Sequence, residues 1–570
     1  MALLMISSRE FIERPCQVSR LVNALLRAGY PVLKTFSGFI FNYVEIKAKN
    51  LAEKFGVALC SVDVEELSGR LLSYPRVGIY SGRGTYIEGR VHADTLRRLG
   101  FYDQKWLGDL DIYSGALSHV DVFLVPGGWG VKGPDFIPFG GEGRGILEKF
   151  IREGGGYLGT CAGSIYLGKR ITAKDLEPGL TLGLLDADVV ACFRGRGLVK
   201  VKVVDAENPV VEGLPEVFPV YHSGGFVLEP YASGNARVAA VFSELYMYEA
   251  YPWANVEELE EMLGKAANIV TGELGKGKIV AFSSHPEYQS HLRRGTIRFR
   301  TGGRKYEVGE EVVRMGYALE ANAIFYLSSG KPVKLDQSDL KPSPNSRRKL
   351  AKTAADFSGV ELLAESAAVE ASKLVKFCEE NLGDNAPAYL DDYLLTFTTD
   401  KPPKWYLERY RDFPNVKEYV MEAVKKLERA SGAVNVDGKE VDDLKLWLKR
   451  AIDATRYLHS LASGIRQAME LQNAAGSPSK FREKKLKLEE CLRTGLMGEA
   501  AKLKSELNVD AWINPLKWEN TLKDYLDAFR REVFLYLIDL NREVLGLAAK
   551  ILYSIEKELD DSALTSPTLP

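Results

Sequence analysis

The chain has 570 residues, of which 46% are hydrophobic and 27% are charged, and its net charge is −2. These proportions are typical of globular proteins, and at roughly 150 residues per domain the length predicts about two to four domains. A charge this close to zero lacks the basic excess of a dedicated nucleic-acid-binding protein, and we expect no nucleic acid as a partner.

Cysteine usage and hydropathy predict a cytoplasmic location. The six cysteines are sparse and form no CxxC pair, which is typical of reduced thiols rather than a disulfide framework. No window reaches the roughly 18 uninterrupted apolar residues that a membrane helix needs. The first residues also lack the basic start and the cleavage site of a signal peptide. We therefore expect no membrane segment.

The first segment, 1–74, has the apolar spacing of a small helical extension. Apolar residues recur at helical spacing over 18–28 and stop at Gly29, and a second periodic stretch over 39–55 stops at Gly56. Because charged and apolar residues interleave, we expect this segment to pack against another part of the protein.

Between 75 and 332, short apolar runs alternate with helical patterns. This alternation predicts an α/β domain with an open, largely parallel sheet covered by helices on both faces. In such sheets, ligands bind at the carboxyl ends of the strands. Strands are predicted at 77–81, 120–125, 156–160, 237–242, 267–270 and 278–283, and helices at 92–99, 145–153 and 163–170.

The remainder of the chain is predicted to be a linker, 333–345, followed by an all-α helical domain, 346–570. Prolines mark the linker. The last predicted helix, 518–559, has an apolar residue every three or four positions, which makes one continuous apolar stripe. Such a region packs helices together or docks a protein partner. Other helices are predicted near 346–382, 414–431, 440–474 and 480–506.

A thiol, a histidine and a carboxylate occur in the chain order of a catalytic triad. Cys161 lies between Gly159 and Gly163, after a predicted strand, and His285 and Glu287 follow the last predicted strand. The glycines leave room for a tight strand-to-helix turn that exposes a nucleophile, and the N-terminal dipole of the helix favours a thiolate. His285 would exchange the thiol proton, and Glu287 would hold the imidazole tautomer.

An oxyanion hole is predicted at the glycine turn that follows the strand at 120–125. The backbone N–H of Gly127 or Gly128, together with that of Ala162, would meet a developing oxyanion, since the glycines carry no side chain to obstruct it. Donors of this kind contribute several kcal/mol to acyl transfer.

Four further side chains are candidate substrate-binding residues. Arg83 and Arg194 lie in glycine-rich loops and have the chemistry to bind a carboxylate or phosphate, Trp129 follows the glycine turn, and His222 precedes a Gly-Gly pair. The alternative interpretations are solvated loop arginines and a histidine that closes a turn.

No metal or other cofactor is expected. The histidines outside the triad and outside position 222 show no metal-ligand spacing with one another or with the cysteines. They are His92, His119, His291 and His459.

These motifs resemble those of the class I glutamine amidotransferase-like superfamily, and within it they are most similar to the amidotransferase-like domain at the N-terminus of biotin–protein ligases. The resemblance implies a flavodoxin-like open parallel sheet and the triad roles given above. It does not imply biotin transfer, because the helical region lacks a biotinyl-adenylate loop. The sequence of the helical region itself indicates no known family. The supporting runs are 78–82, 125–128, 155–163, 220–226, 275–278 and 285–287.

One departure from the glutaminase pattern bears on function. Glutamine amidotransferases typically follow the nucleophile with Leu-Gly-His-Gln, whose Gln helps to hold the substrate, whereas this chain has Ala-Gly-Ser-Ile at 162–165. The local run is nevertheless similar to that of the glutaminase subunit of pyridoxal phosphate synthase. Glutamine hydrolysis therefore stays open.

Three functions follow as hypotheses. The first is an amidotransferase-like cysteine hydrolase that attacks a small-molecule amide or glutamine-like substrate through a thioester. The second is a non-catalytic ligand sensor or scaffold whose helical region binds a protein partner. The third is a glutaminase that supplies ammonia to a separate synthetase.

Overall fold

The structure is a computed structural model that describes most of the chain. The described residues are 2–43, 51–62, 67–82, 85, 88–128, 141–173, 181–252, 254–289, 296–298, 305–335, 337–340, 356–382, 390–397, 415–430, 434, 436–474, 483, 486–487, 490 and 522–565.

Strands and helices both occur up to residue 335, and the elements described beyond that residue are all helices. The strands are β1 (Ala2–Ser7), β2 (Val32–Thr35), β3 (Gly38–Tyr43), β4 (Cys60–Val62), β5 (Leu67–Leu71), β6 (Val77–Tyr80), β7 (Gln104–Leu107), β8 (Val122–Val125), β9 (Gly156–Thr160), β10 (Arg170–Ile171), β11 (Ala187–Cys192), β12 (Gly195–Val203), β13 (Val217–Ser223), β14 (Phe226–Pro230), β15 (Ala236–Ala250), β16 (Ala267–Leu274), β17 (Gly277–Phe282), β18 (Thr296–Arg298), β19 (Lys305–Glu307) and β20 (Val333–Leu335). The helices are α1 (Ser8–Glu13), α2 (Pro15–Arg27), α3 (Glu88–Arg98), α4 (Asp109–Tyr113), α5 (Gly141–Arg152), α6 (Ala162–Ile165), α7 (Val256–Met262), α8 (Pro286–Gln289), α9 (Glu310–Ser328), α10 (Val360–Leu382), α11 (Leu390–Phe397), α12 (Val416–Arg429), α13 (Gly438–Ala474) and α14 (Leu522–Thr565), with 3-10 helices at Ala116–His119 and Gln337–Leu340. The prediction of a mixed α/β part followed by a helical region is confirmed.

The prediction that 1–74 is mostly helical is wrong. Beside α1 and α2, this segment forms five strands, which join β20 in a sheet of order β20-β5-β2-β3-β1-β4. Phe39 and Phe41 enter the main core from β3, whereas Ile40 packs with Leu33 on the opposite face. Successive side chains alternate between faces in a strand, and this period of two lies inside the stretch whose spacing indicated a helix.

The predicted linker, 333–345, begins as part of that sheet. β20 pairs antiparallel with β5, and a 3-10 helix follows at Gln337–Leu340. Residues 341–345 lie outside the described residues.

A nine-stranded sheet forms the centre of the molecule, in the order β13-β12-β15-β16-β17-β9-β8-β6-β7. The strands from β17 to β7 run parallel to one another. Taken in chain order they follow 2-1-3-4-5, the order found in flavodoxin-like sheets. The other four strands pair antiparallel. The expected largely parallel sheet is thus correct for one half only, because a two-residue turn at Gly275 (φ 63°) joins β16 to β17 and such a turn connects only antiparallel strands.

Helices cover both faces of the parallel strands. Every residue of β6, β8, β9 and β17 is buried, which explains their near-continuous apolar sequences. Leu319 and Ile324 of α9 pack on one face, and Leu147 and Ile151 of α5 pack on the other. The carboxyl ends of β8, β9 and β17 consequently meet at one edge of the sheet.

The helical region has its own apolar core, built from α10 to α14. The apolar stripe predicted on the last helix is confirmed where its side chains are described. No helix in the described ranges is both long enough and apolar enough to cross a membrane. The predicted helix over 480–506 lies almost entirely outside the described residues. The buried stripe residues are Leu537, Leu540, Val544, Ile551 and Ile555.

Charged contacts join α14 to the α/β part. Arg20 of α2 pairs with Asp560 at 2.5 Å. Arg97 of α3 is more deeply buried, with its side chain 7% exposed, and it contacts Asp94 at 2.8 Å and Glu556 at 2.7 Å. The helical region is therefore held to the α/β part by ion pairs as well as by apolar packing.

Replacing Arg97 with alanine is expected to destabilise the protein by about 3 kcal/mol, because it removes the shared cation from two buried carboxylates. Lys426 and Arg98 remain near Glu556 and Asp94 and limit the loss to the lower part of the usual range. Urea unfolding followed by circular dichroism measures the change in the free energy of unfolding.

The control is Arg9→Ala, which breaks the exposed ion pair with Glu13 on α1. This variant should unfold like the unchanged protein. Equal destabilisation by both substitutions would contradict the importance assigned to Arg97.

Candidate active site

Cys161 lies between β9 and α6 in a strained backbone conformation. Its φ is 48° and its ψ is −112°, and no other non-glycine residue in the described ranges has a positive φ. Such a conformation costs about 1–3 kcal/mol and persists only where the surroundings enforce it. The backbone thus makes the sharp strand-to-helix turn that the glycine spacing predicts.

Contacts from the sheet enforce this turn. The N–H of Cys161 donates to the carbonyl of Phe282 in β17 at 2.8 Å, and the hydroxyl of Tyr157 donates to the carbonyl of Gly163 at 2.9 Å. A Cβ on Gly163 would clash with the carbonyl of Val125 at the end of β8. Glycine at 163 is therefore required for the close approach of the turn to the sheet.

The helix that follows Cys161 is shorter than predicted. A helix was expected over 163–170, but α6 spans only Ala162–Ile165, since the chain turns into β10 and pairs with β11. A single turn has few aligned peptide dipoles, so the helix favours a thiolate less than the sequence predicted. As the first residue of α6, Ala162 has an N–H without an intrahelical acceptor.

His285 and Glu287 are joined by a short hydrogen bond. The distance from His285 Nδ1 to Glu287 Oε1 is 2.6 Å, and both side chains are buried. The N–H of His285 donates to the carbonyl of Tyr221 at 2.7 Å, and α8 begins at Pro286. Because Nδ1–H donates to the carboxylate, Nε2 is the nitrogen that can accept a proton.

Gly127, in the turn after β8, brings the cysteine and the histidine to one place. A Cβ at 127 would lie 2.7 Å from Cε1 of His285 and 3.2 Å from Cβ of Cys161, so a larger residue would push into both. The thiol of Cys161 donates to the carbonyl of Ser223 at 3.7 Å, and the residue is 7% exposed. Gly127, Cys161 and His285 therefore lie side by side, with little of the cysteine exposed.

Two of the four candidate substrate-binding residues are described. Nε2 of His222 lies 2.7 Å from the carbonyl of Phe193. Burial, with a smaller contribution from the nearby His285, lowers the pKa of His222 to about 3 against the raising effect of the Phe193 hydrogen bond. Arg194 lies partly buried between β11 and β12, with its carbonyl accepting from the N–H of Tyr251 at 3.4 Å. Arg83 and Trp129 lie outside the described residues, and a role in substrate binding stays a prediction for all four.

The sequence missed two residues that lie behind the triad. His92 of α3 hydrogen-bonds to Glu320 of α9 at 2.6 Å and lies 3.6 Å from Glu287. In the sequence, His92 shows no metal-ligand spacing with other histidines or cysteines. In the described part of the chain, no group of three or more His, Cys, Asp or Glu side chains is placed to hold a metal ion. The overlooked signal was Glu320, a single charge inside the apolar stretch of α9.

The helical region borders the site through α11. Leu395 lies in one apolar cluster with Tyr221 and Tyr288, and the ring of Tyr288 stands edge-on to the ring of His285 at 5.0 Å. Arg90 of α3 donates to the carbonyl of Leu395 at 3.2 Å and anchors the helix there. Leu395 of the helical region therefore packs in the same cluster as Tyr288 of the α/β part, whose ring lies beside His285.

Comparisons with known proteins add little to this geometry. No protein-family model matches the sequence, and no curated protein is similar enough to count as a relative. Among solved structures, SMU.1228c has 14% identity over 43% of this chain and 97% of its own, with a TM-score of 0.27. A putative ThuA-like protein from Bacteroides uniformis has 12% identity over 43% and 90%, with a TM-score of 0.26. The cytoplasmic protein STM1381 from Salmonella typhimurium has 14% identity over 36% and 86%, with a TM-score of 0.23. At these values the similarities assign no activity to the chain.

The Cys-His pairing predicted from the sequence implies that alkylation of Cys161 by iodoacetamide has a midpoint well below pH 8.5, the approximate value for a free thiol, because His285 would take the thiol proton. His285→Ala should return the midpoint towards that of a free thiol, and Glu287→Ala should shift it in the same direction. Peptide mass spectrometry at a series of pH values measures the rate at each cysteine.

The exposed Cys60 is an internal reference thiol in the same samples, and Cys161→Ser identifies the peptide signal. A Cys161 rate that follows Cys60 at every pH would contradict an activated nucleophile.

Neutral His222 should make the protein sensitive to acid. From pH 6.5 down to about 3, the unfolded chain binds a proton that native His222 does not, so the free energy of unfolding falls as pH falls and is unaffected above this window. His222→Gln should therefore flatten the dependence of the melting temperature on pH between about 4.5 and 6.5. The exposed His119→Gln is the matched control, and an equal slope in the two variants would contradict the prediction.

Proposed function

We propose that the chain is a cysteine-dependent amide hydrolase of the class I glutamine amidotransferase-like type, with Cys161, His285 and Glu287 as its triad. The supporting observation is that the strained Cys161 turn, the His285–Glu287 hydrogen bond of 2.6 Å and Gly127 lie side by side at the carboxyl edge of the sheet. The motif similarity to the N-terminal domain of biotin–protein ligases belongs to the same proposal, for roughly residues 76–330.

The reaction starts with transfer of the Cys161 proton to Nε2 of His285 and attack of Sγ on the amide carbonyl carbon. The C–N bond then breaks as His285 returns that proton to the leaving nitrogen, which releases ammonia or an amine and leaves a thioester. Water attacks the thioester, its proton passes to His285, and the C–S bond breaks to release the acid and regenerate the thiol. Glu287 accepts the Nδ1–H bond throughout and stabilises the imidazolium.

Backbone N–H groups would stabilise the tetrahedral intermediates. Ala162 is suited to this role because its N–H has no intrahelical acceptor, and Gly127 or Gly128 would donate from the turn after β8. Removing one such donor typically costs about 2.7–4 kcal/mol. Because the site is covered, the proposed substrate is a small molecule with an accessible amide.

A non-catalytic sensor or scaffold is the second candidate. The observation that favours it is the burial of Cys161, which is only 7% exposed. A Cys161 thiol no more reactive than a free cysteine would favour this function, and the helical region would then recruit the protein partner.

The test is turnover of a panel of small amides that includes glutamine, followed by release of ammonia or amine and by the mass of acid-quenched protein. The proposal expects a covalent adduct on Cys161, no turnover by Cys161→Ala, and a loss of about 10²–10⁴-fold in His285→Ala. Glutamine as the preferred amide would indicate the glutaminase function.

Cys60→Ser is the matched control, because Cys60 is exposed in the N-terminal sheet. It should retain full turnover. Full turnover of an identified substrate by Cys161→Ala would remove the basis of the hydrolase proposal.

A further inference from the structure

A second imidazole–carboxylate pair lies directly behind Glu287. His92 Nδ1 is 2.6 Å from Glu320 Oε1, and His92 Nε2 is 3.1 Å from the hydroxyl oxygen of Thr160 and 3.6 Å from Glu287 Oε1. All four side chains are completely buried. The contacts therefore run in sequence from His285 to Glu287, from Glu287 to His92, and from His92 to Glu320.

The charges of this cluster are constrained by its burial. Burial raises the pKa of Glu320 well above its ordinary value, and the neighbouring Glu287 raises it further. Burial lowers the pKa of His92, while Glu287 opposes this shift. Oε2 of Glu320 also has no hydrogen-bond partner among the described residues, which a neutral carboxyl tolerates far better than a carboxylate does.

A neutral carboxyl can donate to a neutral imidazole or accept from it, and the Glu287 carboxylate 3.6 Å from Nε2 of His92 favours a proton on Nε2 over a lone pair facing that anion. Glu320 accordingly donates its proton to Nδ1 of His92, and the ring proton of His92 is on Nε2. That N–H faces Thr160 and Glu287, which leaves Glu287 as the single anion of the cluster. The titratable groups facing His92 are Glu287 and Glu320, whereas those facing His285 are Cys161, Glu287, His222 and Tyr288.

We propose that His92 and Glu320 are positioning residues of the triad: the hydrogen bond to Glu320 fixes the tautomer of His92, and the Nε2–H of His92 hydrogen-bonds to Thr160 and stabilises the Glu287 carboxylate 3.6 Å away. Thr160 is the residue before the nucleophile, so one imidazole orders both the Cys161 turn and the carboxylate that orients His285. This inference rests on the proposed function of the triad.

The first experiment compares the pH profile of Cys161 alkylation in three variants. The double variant His92→Leu/Glu320→Leu removes both partners together, so that neither polar group is left buried alone. It should lower the alkylation rate at neutral pH about tenfold and move the midpoint upwards, a loss typical of partners that orient a functional side chain. Glu320→Gln keeps a donor to Nδ1 of His92 and should retain the pH profile of Cys161 alkylation, whereas Glu320→Ala should lose it.

The second experiment reads His92 directly by ¹⁵N NMR of histidine-labelled protein, and the His92→Gln spectrum assigns its signals. The proposal expects a neutral ring with its proton on Nε2 between about pH 6 and 8. A proton on Nδ1, or an imidazolium at neutral pH, would overturn it.

The two experiments separate this inference from the function on which it rests. A reactive thiol in the unchanged protein with the same profile in the folded double variant would overturn the positioning role alone. An ordinary thiol in the unchanged protein would overturn the hydrolase proposal and the positioning role together, while the NMR spectrum still decides the state of His92. Melting temperatures establish that each variant is folded.

Discussion

Cys161 can hold its positive φ only because the sheet around it leaves no alternative. The strain of about 1–3 kcal/mol is offset by the pairing of β9 with its two parallel neighbours and by a hydrogen bond from Cys161 to β17. Gly163 lets the turn approach β8, and Gly127 lets β8 approach the thiol and the imidazole. These contacts place the Cys161 turn beside Gly127 and His285.

Burial of charge is the second constraint, and it connects the site to the core. Glu287 accepts a hydrogen bond from His285 on one side and lies close to His92 on the other. Burial raises the pKa of Glu320 well above its ordinary value, and the Glu287 carboxylate raises it further, because a second ionised carboxyl is costly in a medium of low dielectric constant. These side chains belong to α3, α8, α9 and β9 and form one network. A substitution at His92 or Glu320 in the core would therefore be expected to alter the reactivity of Cys161 at the edge of the sheet.

The helical region contributes to the site although it is remote in sequence. Leu395 packs against Tyr221 and Tyr288, and Arg90 anchors it from the helix that also carries His92. The ion pairs of Arg20 and Arg97 hold α14 against α2 and α3. The same three-turn helix, α3, thus contacts the helical region through Arg90 and Arg97 and approaches Glu287 through His92.

The sequence alone determined the local features: buried strands from continuous apolar runs, the turns at Gly127 and Cys161 from their glycines, the apolar stripe of α14 from its spacing, and a Cys-His-Glu order that implied a triad. Tertiary structure decided what depends on partners distant in the chain. Residues 1–74 form a sheet through pairings between strands far apart in that segment, and β20, from beyond residue 330, adds to its edge. Four strands on one side of the nine-stranded sheet are antiparallel because the chain folds back at its hairpins. The pairing of His92 with Glu320 also escaped the sequence, since a buried polar group reveals its role only when its hydrogen-bond partner is known, and 228 positions separate these two residues.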